Sequence, residues 1–100
     1  MSDLHFDFDG QPISALEWAV LFEDFERRQV ADTTIGDVRI STVWLGLNYR
    51  FLDDGAPLIF ESMVFGGEFD AHCERYPNWA AALAGHDQLV AMVRSEAMVR

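Results

Sequence analysis

Lysine is absent from the 100 residues, and the seven bases, all arginine, stand against seventeen acids for a formal net charge of −10. Nucleic-acid affinity comes mostly from cations that neutralise phosphates. That balance therefore excludes nucleic acid as a partner, and the sequence has no basic patch to override it. A single cysteine, Cys73, cannot close an internal disulfide, which excludes a small disulfide-built secreted scaffold and suits a reducing compartment. No apolar run approaches the roughly 20 residues of a membrane-spanning helix. Residues 1–9 lack both the basic flank and the apolar run of a signal peptide. These absences together predict a cytoplasmic protein with no membrane partner. Cofactor motifs are missing too: Gly46 and Gly66-Gly67 fit no phosphate-binding pattern and read as turn and bulge glycines.

What is present is the make-up of a packed globule, 50% hydrophobic, 13% aromatic and 24% charged, in a chain with room for one core and not two. Residues 1–100 are read as a single α+β domain. The acids are dispersed along the chain, so they read first as a solvated surface. An acidic inhibitor of a nucleic-acid-binding host protein would need them gathered on one face.

Residues 4–8 alternate, Leu4, Phe6 and Phe8 against His5 and Asp7, and predict a short strand. Ser14-Ala15-Leu16-Glu17 is a capping box, opening a helix whose Ala15, Trp18, Leu21, Phe22 and Phe25 share one face and which runs to about Arg28. Residues 30–35 and 38–47 predict a hairpin about Gly36-Asp37, residues 58–65 a third long strand, and residues 70–77 an irregular link. Asn78 caps a second helix over 79–99, with Trp79, Ala82, Leu83, His86, Val90, Val93 and Ala97 along its apolar stripe. The expected fold is α+β, an antiparallel sheet of three to four strands with two helices packed on one face, in the order β-α-β-β-β-α. Val43, Leu45, Ile59, Met63 and Phe65 then supply more apolar strand surface than two helices can cover. They are the expected interface of a homodimer or of a complex with a host protein.

The chain carries the blocks Thr42-Val43-Trp44-Leu45-Gly46-Leu47 and Pro57-Leu58-Ile59-Phe60-Glu61-Ser62-Met63-Val64-Phe65-Gly66-Gly67, followed by Arg75-Tyr76 and Ala84-Gly85-His86. With Glu17-Trp18-Ala19 and Phe22-Glu23-Asp24, they resemble a family of small proteins of unassigned function from actinobacteria and their bacteriophages. The resemblance spans nearly the whole chain. It implies a phage-type origin and a cytoplasmic life in a bacterial host, and it supplies no activity or ligand. In the family it resembles, the block ending at Leu47 is more often followed by Asp-His, where this chain has Asn48-Tyr49.

Candidate chemistry is sparse. His86 stands in the middle of the second helix's apolar stripe, and a buried imidazole needs a hydrogen-bond partner. Glu61, the lone acid of an apolar strand, is the nearest candidate, and a small enzyme would use Glu61 and His86 as an acid/base pair assisted by Tyr49 or Ser62. The structural alternative is a buried polar pair, or Glu61 bonded to Arg39 on the next strand. Asp70, His72, Cys73 and His86 lack zinc-ligand spacing, and Asp53-Asp54-Gly55 is too short for a calcium loop. No metal or cofactor is expected. The sequence points first to a phage-type accessory protein that acts by protein–protein binding or self-association, with a small Glu61/His86 enzyme and an acidic inhibitor of a nucleic-acid-binding host protein as the alternatives.

Overall fold

Gly36 turns the chain. Its φ of 60°, at the first position of a two-residue turn, is the left-handed backbone that a tight hairpin asks for. The turn joins β1 (Gln29–Ile35) to β2 (Val38–Trp44) in antiparallel register. The computed structural model describes residues 4–48 and 57–99. Over these residues β3 (Phe60–Phe65) pairs with β2 and β4 (Cys73–Tyr76) pairs with β3, so the sheet is an antiparallel meander in the order β1-β2-β3-β4. α1 (Ala15–Phe22) and α2 (Phe25–Arg28) precede the sheet, and α3 (Trp79–Val99) follows it.

Side chains on a strand alternate between faces, and here the alternation selects one face for burial. Ile40, Thr42 and Trp44 of β2 and Phe60, Ser62 and Val64 of β3 are all fully buried, paired across the ladder as Trp44–Phe60, Thr42–Ser62 and Ile40–Val64. α3 lies over this face with Ala82, His86, Leu89 and Val93 turned inward. At the Trp44 end Trp18, Leu21 and Phe22 of α1 pack against the same cluster. The class is therefore α+β, an antiparallel sheet with helices packed on one face, as expected.

Several elements differ in detail. Residues 4–8 do not join the sheet: they make isolated bridges, His5 with Leu47 and Phe6 with Pro12, because Trp44 captures the segment instead. The Phe8 ring stacks on Trp44 with centroids 4.3 Å apart, and Trp44 Nε1 donates to the Asp7 carbonyl at 3.2 Å. The first helix stops at Phe22, since the Asp24 carboxylate accepts from the Arg27 amide at 3.1 Å and starts a separate turn, α2. The expected link over 70–77 contains β4. β2 ends at Trp44 because the amides of Leu45 and Gly46 both turn to the Ile59 carbonyl. Gly46 (φ 69°) is required there, as a Cβ would meet Trp44 at 2.3 Å and Trp18 at 2.8 Å.

α3 begins as expected, with Asn78 Oδ1 accepting from the Ala81 amide at 2.8 Å. Its inward stripe is rotated from the expected one. Leu83 is 41% and Trp79 38% exposed, whereas Gly85 and Leu89 face the sheet. Gly85 sets this rotation: a Cβ there would lie 2.1 Å from the Tyr76 ring, so only glycine lets β4 and α3 close together. No helix among the described residues is long and apolar enough to cross a membrane.

Candidate functional site

The core is in two halves, and the row between them carries hydroxyls. Phe6, Trp44, Ile59, Phe60 and Ala82 form one buried cluster, and Ile40, Val64, Leu89 and Val93 form the other. Between Trp44–Phe60 and Ile40–Val64 on the ladder sits the pair Thr42–Ser62. Into this row α3 lowers His86, only 3% exposed, with Nδ1 at 2.7 Å from Thr42 Oγ1 and Nε2 at 2.8 Å from Thr33 Oγ1. Thr42 Oγ1 also bonds Ser62 Oγ. Burial holds the His86 imidazole below its ordinary pKa, with Asp87 and Asp32 pulling the other way. The ring is therefore neutral, with one donor and one acceptor nitrogen, and two hydroxyls satisfy it in either tautomer.

The expected Glu61–His86 pair does not form. Phe60 and Ser62 point at α3, so the period of two turns Glu61 to the other face of the sheet. There Glu61 Oε2 accepts from Arg75 Nε at 3.0 Å, its neighbour directly across on β4. Nor does Glu61 bond Arg39, which forks onto Asp32 at 2.8 Å and 3.0 Å. Arg39 holds the Asp32 carboxyl below its usual range, and Asp32 raises Arg39 in turn. His86 and Glu61 line neither of the two grooves described below. Tyr49, the other proposed helper, lies outside the described residues, as does Asp53-Asp54-Gly55.

The residues considered for zinc are not brought together. His72 pairs with Glu74 at 3.0 Å, Asp70 accepts from the Gly66 amide at 2.7 Å, and His86 is sealed under α3. Cys73 stands opposite Met63 on the ladder, its thiol pushed up in pKa by burial first and by Glu61 next. Among the described residues no group of three or more His, Cys, Asp or Glu is placed to hold a metal ion.

Of the five expected interface residues, Val43, Met63 and Phe65 share the face of the sheet turned away from α3. Ile59 does not: it is 1% exposed and belongs to the Trp44–Phe60 cluster, so it is removed from the surface. Leu45 lies beyond the end of β2, half-buried, its carbonyl accepting from Trp18 Nε1 at 2.9 Å. On the open face the register sets Arg39 beside Phe65, Ser41 beside Met63 beside Cys73, and Val43 beside Glu61 beside Arg75. The face is thus mixed, with apolar side chains running between two ion pairs, and it is less apolar than the sequence suggested.

Two grooves flank the fold. One, of about 330 Å³, runs between β4 and α3 beside Tyr76, Gly85 and Leu89. The Tyr76 hydroxyl is buried and has no partner in hydrogen-bonding geometry among the described residues, and burial raises its pKa, opposed by the nearby Ser62 hydroxyl. The other, of about 360 Å³, lies along α1 and is lined by Asp7, Ile13, Glu17, Val20 and Leu21. α1 leaves its outward apolar side chains more fully exposed than the sheet does, with Leu16 77% and Val20 65% exposed against 44% for Phe65. This surface was missed in the sequence, although its signal was there: seven of the eight residues of α1 are apolar, too many for one buried stripe. No family model, curated protein or solved structure matches the chain.

Proposed function

We propose that the chain is a binding protein, a phage-type accessory factor of a bacterial cytoplasm, that acts by associating with a second copy of itself through the open face of the sheet. One observation carries the reading. On a molecule of net charge −10, this face sets Asp32 and Glu61 against Arg39 and Arg75, so its own charges balance, and Val43, Met63 and Phe65 lie between the two pairs. Two copies can approach there without the repulsion that opposes contact elsewhere. A two-fold axis lying in the interface, and running from one ion pair to the other, sets Asp32 of each copy against Arg39 of the other and Val43 over Met63. The sheets then cross at about 90°, a recognised class of sheet packing. The acidic-inhibitor reading is less well supported, because it needs acids gathered on one face.

Sedimentation of the full chain at micromolar concentration tests the reading, with twice the monomer mass expected and a strict monomer overturning it. Met63→Asp should dissociate the dimer and leave the fold unchanged. Asp32→Arg and Arg39→Asp should each weaken self-association, while an equimolar mixture of the two variants restores it as a heterodimer. A dimer indifferent to all of these substitutions would place the contact elsewhere.

A further inference from the structure

The outer side of α1 is a second surface, independent of the sheet. Trp18, Leu21 and Phe22 turn toward Trp44, and on the opposite side of the helix Leu16 and Val20, one turn apart, stand 77% and 65% exposed. The helix has one polar residue, Glu17, and its carboxylate is already engaged in the capping box with Ser14. A helix apolar on every side is normally enclosed on every side, yet no described element covers Leu16 or Val20. Beside them runs the groove of about 360 Å³ whose apolar walls are Ile13, Val20 and Leu21.

The charge at the groove identifies what fits it. Among the described residues, its two polar lining residues, Asp7 and Glu17, are both carboxylates, and none that lines it is basic. Two described arginines at this end of the molecule are turned to aromatic rings, Arg27 4.6 Å from the Phe8 centroid and Arg28 3.5 Å from that of Phe22. Asp7 Oδ1 accepts from the amides of Asp9 and Gln11, which fixes that carboxylate on the rim and keeps it acceptor-only. An apolar trough with anionic rims takes an amphipathic segment that carries large apolar side chains on one face and Arg or Lys beside them. Another copy of this chain, at −10 and with no lysine, is poorly suited to supply it.

We infer that the groove along α1 docks a basic amphipathic segment of a different protein, its apolar side chains packing on Leu16, Val20 and Ile13 and its cations reaching Asp7 and Glu17. Selection of peptides from a random displayed library on the full-length chain tests this, because the occupant need not be known beforehand. The enriched sequences should carry apolar residues three and four apart together with Arg or Lys. Leu16→Glu and Val20→Glu, both at solvent-facing positions, should weaken the selected peptides at least tenfold, with an unchanged circular dichroism spectrum as the check on folding. Binding should also fall several-fold when salt is raised to about 0.5 M. Met63→Asp, on the sheet, should leave it unchanged, so failure of self-association and failure of this inference are read separately. Acidic or uncharged consensus peptides, retention by both α1 variants, or no enrichment at all would overturn it.

Discussion

Thr42 and His86, on β2 and α3, meet across the layer between sheet and helix with Oγ1 and Nδ1 2.7 Å apart, and neither is more than 3% exposed. Because Thr42 also bonds Ser62, and His86 also bonds Thr33, the four groups form one chain of hydrogen bonds that can run in either direction. When Nδ1 accepts, Ser62 donates to Thr42 and Nε2 donates to Thr33. When Nδ1 donates, every bond reverses. Such a chain is satisfied as a unit and strengthens each of its members. It fixes how α3 sits on the sheet, since sliding the helix by about one turn would bring the imidazole against an apolar cluster.

The first prediction follows from the depressed pKa of His86. Its folded value lies below the unfolded one of about 6.5, so the unfolded state binds its proton first on acidification. This contribution to stability is level above about pH 6.5, falls as the pH drops through that value, and stops falling at the folded pKa. Urea unfolding across this range checks it. The slope should be shallower in His86→Leu, and a wild-type stability that increases on acidification through this window would contradict the assignment.

Replacing His86 by Leu should also destabilise at neutral pH, by about 1–3 kcal/mol, because Thr33 loses its buried partner while Thr42 retains only Ser62. Adding Thr33→Val should recover part of that loss. Strict additivity of the two substitutions in a denaturation cycle would show that the residues do not act as one network.

Gly85→Ala sets two effects against each other. Alanine gains about 1 kcal/mol of helix propensity, but its Cβ would lie 2.1 Å from the ring of Tyr76, which is itself held between β3 and α3. Overpacking on this scale costs about 1–3 kcal/mol or more, so a net loss in melting temperature is expected. Tyr76→Phe, which removes a buried hydroxyl without a well-formed bond, should be neutral or raise stability by up to about 1 kcal/mol.

Ala71 has a φ of 69°, in the left-handed region that costs an L-residue about 1 kcal/mol. Its amide donates to the Val64 carbonyl at 2.8 Å, which holds the turn after β3 in place. Ala71→Gly should therefore keep the turn and raise stability by up to about 1 kcal/mol, measured by chemical denaturation.

The parts of the fold that were legible in the sequence are those fixed by neighbours along the chain. The capping box at Ser14 and Glu17, the hairpin at Gly36 and the Asn78 cap each depend on residues within one turn of one another. β4 was missed because three of its four residues are exposed, so Cys73-Glu74-Arg75-Tyr76 has no apolar alternation to read, and it exists by pairing with β3. The break before α2 was missed because the helical wheel continues through Asp24 while that side chain caps a new turn. Burial of His86 was legible from its place in the stripe, but its partners were not, since Thr33 and Thr42 are 53 and 44 residues away. The misassignment of Glu61 was avoidable from strand parity, as Phe60 and Val64 cannot face the helix without turning Glu61 away.

α3 follows all four strands in the chain, and it is the element that closes the core. The meander joins each strand to the one before it, so β1 through β4 can pair as they emerge, by local contacts that form fast. Until α3 follows, however, Ile40, Val64 and the Thr42–Ser62 row remain wet, and an open sheet of this kind is the species most prone to pair with its neighbours during synthesis. The nascent chain thus passes through its most adhesive state between the emergence of β4 and that of α3. Whether it survives that interval depends on how quickly the turn at Pro77-Asn78 hands α3 back across the sheet, so substitutions that slow this last docking should lower the yield of folded protein more than they lower its final stability.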